Sequence, residues 1–333
     1  MAAKHLLAAM MLVAATAAPA RAALEWRGQD LSEMGIRKGS GLPIFFLYID
    51  GMHSSFAAQG VSQTPPWTVL WGFYNQFYYS DSLRDDEGRE VDTRFHSSTY
   101  SLVQRMVLTT PLRTEHAQLY VEAIPIFVST DFRVGSAAAS TTGLGDFGVG
   151  AGLLLPDVYK TDWLEVDGLV GLDVFLPTGH YRAGGLHNLS SNYYSYLAQI
   201  DLIFQLRKIG NGVYFSPAFY FAGASENDDF LNPATGERGC YQQGPDYQQI
   251  FKLLYHVDKV WSAGFEGFFD LQVRDDRMDG SRVKNSSERS LMLGPIVTGA
   301  FGRVLLDASV LREFDVANRP QGTRFTAIVY LVF

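Results

Sequence analysis

Trp261-Ser262-Ala263-Gly264-Phe265-Glu266-Gly267-Phe268-Phe269-Asp270-Leu271-Gln272-Val273-Arg274 alternates in character along its length. Trp261, Ala263, Phe265, Gly267, Phe269, Leu271 and Val273 fall on one side, and Ser262, Gly264, Glu266, Phe268, Asp270, Gln272 and Arg274 on the other. A β-strand sends successive side chains to opposite faces, so the stretch reads as a strand with one greasy and one wet face. Tyr194–Arg207 repeats the pattern, as do Trp163–Leu176 and Phe251–Asp258. After residue 67 no stretch fits a helix of more than three turns.

Working outward, the spacing predicts twelve strands, at about 67–80, 92–109, 117–134, 145–156, 163–177, 193–208, 213–226, 246–259, 261–275, 287–301, 302–315 and 323–333. Strands this long exceed the soluble norm of about five to six residues. They reach the roughly nine to eleven residues a tilted strand needs to cross a bilayer. The links read as strictly alternating. Residues 110–116, 157–162, 209–212, 259–260 and 301–302 are short turns; 81–91, 135–144, 178–192, 227–245, 276–286 and 316–322 are mostly longer and rich in Asp, Asn, Gly and Ser. Short turns at one end, longer loops at the other, and an apolar outside describe a transmembrane antiparallel β-barrel of about 12 strands (12–14). In lipid an open sheet edge would leave backbone groups unpaired, so the barrel must close. A soluble sandwich also alternates but seldom uses a dozen strands of this length. Trp67, Tyr78, Tyr79, Trp163, Tyr193, Tyr194 and Trp261 near strand ends fit interfacial girdles.

The chain has 333 residues with 27 Lys plus Arg against 35 Asp plus Glu, a net charge of −8. An acidic balance argues against a nucleic-acid partner, which needs a basic face. The hydrophobic share of 47% excludes a disordered polymer. Cys240 is the single cysteine, so neither a disulfide framework nor a Cys-rich zinc site is available. Lys4 followed by the run Leu6–Ala18, apolar but for Thr16, and then Ala20-Arg21-Ala22, reads as a signal peptide over 1–22. Export to the outer membrane of a Gram-negative bacterium is therefore expected, with the barrel occupying 67–333. Residues 23–66 do not alternate; they hold the apolar patch Ile44-Phe45-Phe46-Leu47-Tyr48 and end on Pro65-Pro66. They fit a luminal plug, a periplasmic flap or a flexible lead-in.

Motifs for catalysis are weak. Gly143-Leu144-Gly145-Asp146-Phe147-Gly148 matches G-x-G-x-x-G, but a dinucleotide fold needs a helix after it and here a strand follows. Seven histidines show no metal-ligand spacing, His180 and His187 sharing one loop. There is no G-x-S-x-G elbow. Glu266 and Asp270 share a strand face about 13 Å apart, too far for a paired-carboxylate site without cross-strand help. No catalytic residue, metal or cofactor is expected, and solvated lumen lining is the better reading of these acids.

The inward candidates are Arg105, Glu122, Glu165, Asp167, Asp173, Asp201, Arg207, Lys252, Glu266, Asp270, Arg274 and Asp307. Mixed walls of this kind pass water and small solutes. Phe268, Leu254, Ile203, Leu197 and Phe175 share that face, which points to amphiphilic or aromatic cargo unless side chains simply fill the middle. The terminal Phe333, with apolar residues two, four and six before it, resembles the signature read by barrel-assembly machinery.

Several ordered segments together resemble one family. They are Gly143-Leu144-Gly145-Asp146; Leu176-Pro177-Thr178-Gly179-His180-Tyr181 with Asn188-Leu189-Ser190-Ser191-Asn192; Leu293-Gly294-Pro295; Glu313-Phe314; and Asn318-Arg319-Pro320-Gln321-Gly322-Thr323-Arg324-Phe325. Over about 65–333 the chain is similar to the outer-membrane barrels named for the MetA pathway of phenol degradation, whose members are treated as transporters. Gly is expected at Ser190 and Asp at Thr323; these departures bear on cargo rather than fold. The resemblance implies passage of small hydrophobic or aromatic compounds through the outer membrane and offers no catalytic residues. A general porin, a structural or adhesive barrel and an outer-membrane hydrolase are the competing readings. The hydrolase needs a nucleophile–base pair that the sequence does not display.

Overall fold

Period-two patterning builds long strands wherever the sequence alternates. The computed structural model describes residues 64–91, 94–185, 188–231 and 238–333. The expected signal peptide, almost all of the 23–66 segment, and His187 lie outside them.

The strands run β1 (Val69–Leu83), β2 (Phe95–Arg113), β3 (Gln118–Ile124), β4 (Ile126–Val134), β5 (Ala137–Leu144), β6 (Phe147–Lys160), β7 (Leu164–Leu176), β8 (Ser195–Leu206) and β9 (Val213–Ala224). They continue with β10 (Asn227–Leu231), β11 (Arg238–Gln242), β12 (Asp246–His256), β13 (Trp261–Gln272), β14 (Arg277–Met278), β15 (Ser281–Arg282), β16 (Arg289–Phe301), β17 (Val304–Ala317) and β18 (Pro320–Val332). Fourteen of these form one antiparallel sheet. β3 and β4 are one stave broken at Pro125, and β5 and β6 are another broken at Gly145-Asp146, so the wall has twelve staves. β1 pairs with β2 on one side and with β18 on the other, which closes the barrel and leaves no long edge open.

The facing follows strand phase. Along β13, Trp261, Phe265 and Leu271 are exposed, while Ser262, Glu266, Phe268, Asp270 and Gln272 are buried. Phe77, Leu172, Tyr196, Ile200, Leu253, Val297 and Phe325 join the exposed set on neighbouring staves. An exterior this apolar would be an aggregation hazard in water and is at home in lipid. Most buried apolar side chains gather into one cluster from Leu70 round to Tyr330, with smaller ones around Phe95 and Phe132 and around Tyr193, Phe230 and Tyr241.

Four expectations need correction. Residues 137–144 are not a loop: they form β5, paired with β4 from Phe127↔Leu144 to Val134↔Ala137. Gly135 turns the chain in a left-handed conformation at φ 60. The stretch 316–322 shrinks to the two residues between β17 and β18, with Asn318 at φ 58. Long and short links therefore do not alternate strictly. Tyr78 is buried inward on β1 while Tyr79 is exposed, since neighbours on a strand cannot share a face, and Tyr193, ahead of β8, is buried with Phe230 and Tyr241. Arg207 and Arg274 lie just past strand ends and are exposed rather than luminal.

Candidate functional site: the barrel interior

Arg105, Glu122, Glu165, Asp167, Asp173, Asp201, Lys252, Glu266, Phe268, Asp270 and Asp307 all lie buried on the inward face. The wall brings some of them together and keeps others apart.

The most developed group sits where β2, β3, β6, β7 and β8 meet. Arg105 grips Glu122 with two nitrogens, Nη2 donating to Oε1 at 2.8 Å and Nε to Oε2. Nη2 also reaches Gln199 Oε1 at 3.4 Å, and Gln199 Nε2 donates to the Tyr120 hydroxyl at 3.1 Å. Arg105 is on the second stave and Gln199 on the sixth, so this contact crosses the interior rather than following the wall. Glycines make it fit. In the pairing row Glu122↔Gly150↔Asp173, a Cβ at Gly150 would run into the Asp173 carboxylate. Cβ atoms at Gly152 and Gly171 would overlap the Tyr120 hydroxyl. Both Asp173 oxygens are buried without a hydrogen-bond partner, so two carboxyl groups here face the one Arg105 guanidinium.

Elsewhere, Lys252 Nζ lies 3.3 Å from Asp307 Oδ2, joining β12 to β17. Glu266 and Asp270 are not brought together: Asp270 takes Arg319 Nη1 at 2.8 Å, and Arg319 Nη2 also lies 3.5 Å from Glu313. Asp270 is thus a buried ion-pair partner rather than a solvated lining group. Glu313 also accepts from Tyr78 at 2.7 Å and from Ser290 at 2.9 Å. The apolar members Phe175, Leu197, Ile203, Leu254 and Phe268 are buried among these charges, and the Arg324 guanidinium lies 5.4 Å from the centre of the Phe268 ring.

At the loop end, hydrogen bonds tie neighbouring segments together. Asp146 accepts from Gly179 N at 3.1 Å and from Ser191 N at 3.2 Å, pinning 178–192 to the break between β5 and β6. A Cβ on Gly179 would meet the Gly145 backbone at 2.8 Å, so this approach requires glycine at 179. Asn227 donates to the Tyr181 hydroxyl at 3.0 Å and to Ser191 O at 3.1 Å, binding the next loop in. Between the adjacent staves β16 and β17, Asn318 donates to Asn285 O and Ser287 O at 2.9 and 2.8 Å.

Two loop carboxylates act as anchors. Burial pushes the Asp275 carboxyl up, but the Arg282 guanidinium at 2.6 Å and the N–H groups of Ser286 and Ser287 outweigh it and hold it below the ordinary range. Burial opposes Asp85 in the same way, and the Arg89 side chain and N–H, with Glu87 N–H, bring it down. A lowered folded-state pKa gives stability that is present above the unfolded value near 3.9 and lost as pH falls through the folded value. Limited proteolysis at pH 7 and pH 3 should show the 84–91 and 273–288 loops protected at the first and cut at the second. Equal cutting at both would remove these two carboxylates as anchors.

One pair was missed in the sequence. His256 Nδ1 and Ser262 Oγ lie 2.7 Å apart at the turn end, beside a cavity of about 140 Å³ lined by Gln205, Tyr214, Leu254, Thr298, Leu305 and Asp307 among others. The signal was available: Val257 and Trp261 face each other across the turn 258–260, which sets His256 opposite Ser262.

Comparison with known proteins follows from this architecture. Residues 80–328 match the family described as the MetA-pathway of phenol degradation. The chain belongs to that family. The segments that resemble this family in the sequence include Asp146, Gly179, Ser191 and Asn318, the rim residues described above. No curated protein matches the chain. Among solved structures it is similar to the COG4313 outer membrane channel from Pseudomonas putida F1, with TM-score 0.70, 19% identity, and coverage of 82% of this chain and 98% of that one. It also resembles the transport unit of the autotransporter AIDA-I from Escherichia coli, at TM-score 0.55 and 8% identity, covering 90% of this chain and 99% of that one. At these identities the likeness concerns the fold: a closed outer-membrane-type barrel shared by a phenol-degradation family member and a channel.

Proposed function

We propose that this chain is an outer-membrane channel for the passive uptake of small hydrophobic or aromatic compounds, and that it is not an enzyme. The apolar exterior supports residence in lipid. The observation that carries the cargo reading is the inward face itself, where Phe175, Leu197, Ile203, Leu254 and Phe268 stand among buried charges. A solute with a flat apolar body and one polar group finds partners for both on such a wall. The partners of this reading are outer-membrane lipid, the barrel-assembly machinery and the solutes; it needs no cofactor. The His256–Ser262 pair favours hydrolysis only with an orienting acid, and Asp258, the carboxylate in the same turn, spends Oδ1 on the N–H groups of Val260 and Trp261.

Planar-bilayer recording tests the proposal. Aromatic solutes should reduce ion current in a concentration-dependent way, and Phe268→Ala should weaken that block about fivefold, the equivalent of about 1 kcal/mol for one aromatic contact. Current that ignores aromatic solutes would leave a general porin.

A further inference from the structure

At the turn end of the wall, outside the network around Arg105, three carboxylates converge. Asp157 lies where the register between β6 and β7 shifts; Glu165 and Asp167 are successive inward residues of β7. We propose that Asp157, Glu165 and Asp167 form a binding site for a divalent cation of calcium's size.

Each residue offers one carboxylate oxygen, and these oxygens lie within 4.8 Å of one another. Oxygens around one calcium ion sit about 2.3–2.6 Å from it, so no two of them are separated by more than about 5 Å. The spacing satisfies that limit without moving the backbone.

A second observation points to a ligand. Asp167 is 0% exposed. Its Oδ1 accepts from the Asp157 backbone N–H at 2.8 Å, but its Oδ2 is buried without a donor. A carboxylate oxygen held out of water with nothing to balance it is costly, and a cation beside it removes the cost. Asp157 is half-exposed, which gives an ion from solvent a way in.

The cations already present fit the same reading. Arg207 pairs with Glu165 from the rim. Lys160 Nζ lies 2.7 Å from Asp157 and 3.7 Å from Glu165, on a side chain that is 47% exposed. Three carboxylates against these two positive groups leave one excess negative charge. Lys160 is a single charge on a flexible stem, able to swing into solvent when a doubly charged ion takes its place. Three carboxylates supplemented by water suggest a calcium dissociation constant of about 0.1–1 mM, the range of extracellular modules.

The site is independent of conduction, and its test does not involve transport. Trp163 is two residues from Glu165, so their Cα atoms are at most about 7 Å apart, close enough to sensitise bound terbium. The full chain, folded in detergent, is titrated with terbium under tryptophan excitation and then with calcium. The expected result is sensitised emission that calcium reverses. Asp167→Asn should weaken terbium binding at least tenfold, Lys160→Ala should tighten it about threefold or more, and Asp162→Asn, next to Trp163 but outside the cluster, should leave it unchanged. Absence of emission from the native protein, or an Asp167→Asn titration like the native one, overturns the site. Heat-modifiable migration reports whether each variant is folded. If Asp167→Asn is not, Lys160→Ala decides: unchanged or weaker binding overturns the proposal.

Discussion

Replacing Arg105 with Met is expected to destabilise the barrel by about 3–5 kcal/mol, the usual cost of breaking a buried ion pair by removing one partner. The variant leaves Glu122 buried with its principal cation gone, across Gly150 from Asp173, whose oxygens already lack donors. Adding Glu122→Gln should recover most of the loss, since the charge that needed Arg105 is then absent. Asp173→Asn alone should act in the opposite direction and stabilise. Denaturant titration of the folded protein, followed by heat-modifiable migration, measures all three. A single Arg105→Met variant within about 1 kcal/mol of the native protein would mean that water reaches this group freely.

Phe265→Arg should cost about 2–4 kcal/mol if its position on β13 lies near the middle of the bilayer, where a charge on the lipid face is most expensive. Phe265 is 64% exposed to the outside, whereas its neighbour Glu266 is buried inward. The same contrast can be read chemically. In a Cys240→Ser background, a water-soluble thiol reagent should label cysteine at 266 and miss cysteine at 265. Equal labelling at the two positions would put β13 out of register.

The staves were legible because each crosses a hydrophobic band with one face in lipid, and that demand writes a period of two into the sequence. Where the demand lapses, the pattern does too. Ala137–Leu144 is made of small and polar residues up to Gly143, so little in its composition distinguishes a strand from a loop; its pairing with β4 follows from the Gly135 turn. The loop sheet of β10, β11, β14 and β15 uses strands of two to five residues, too short for any period to register. The interior was legible one face at a time but not across itself. That Asp173, Glu122 and Arg105 meet depends on Gly150 standing between two staves, and the Arg105–Gln199 contact depends on the cross-section at that height. Arg319, from a two-residue turn, gave no sign of reaching Asp270. The segments that resemble the family are visible as strings, and their physical sense lies in Asp146 holding the N–H groups of Gly179 and Ser191.

The pairing of Leu70 with Val332 joins the opposite ends of the barrel sequence. Hairpins along the wall form between neighbours, but this seam has the longest loop to close and gives the fold its high contact order, which slows folding. Until the seam forms, β1 and β18 are two bare edges able to recruit strands from other chains. The kinetic hazard of this protein is therefore concentrated at one joint, and the time spent before β1 meets β18 governs its partition between a sealed barrel and aggregate.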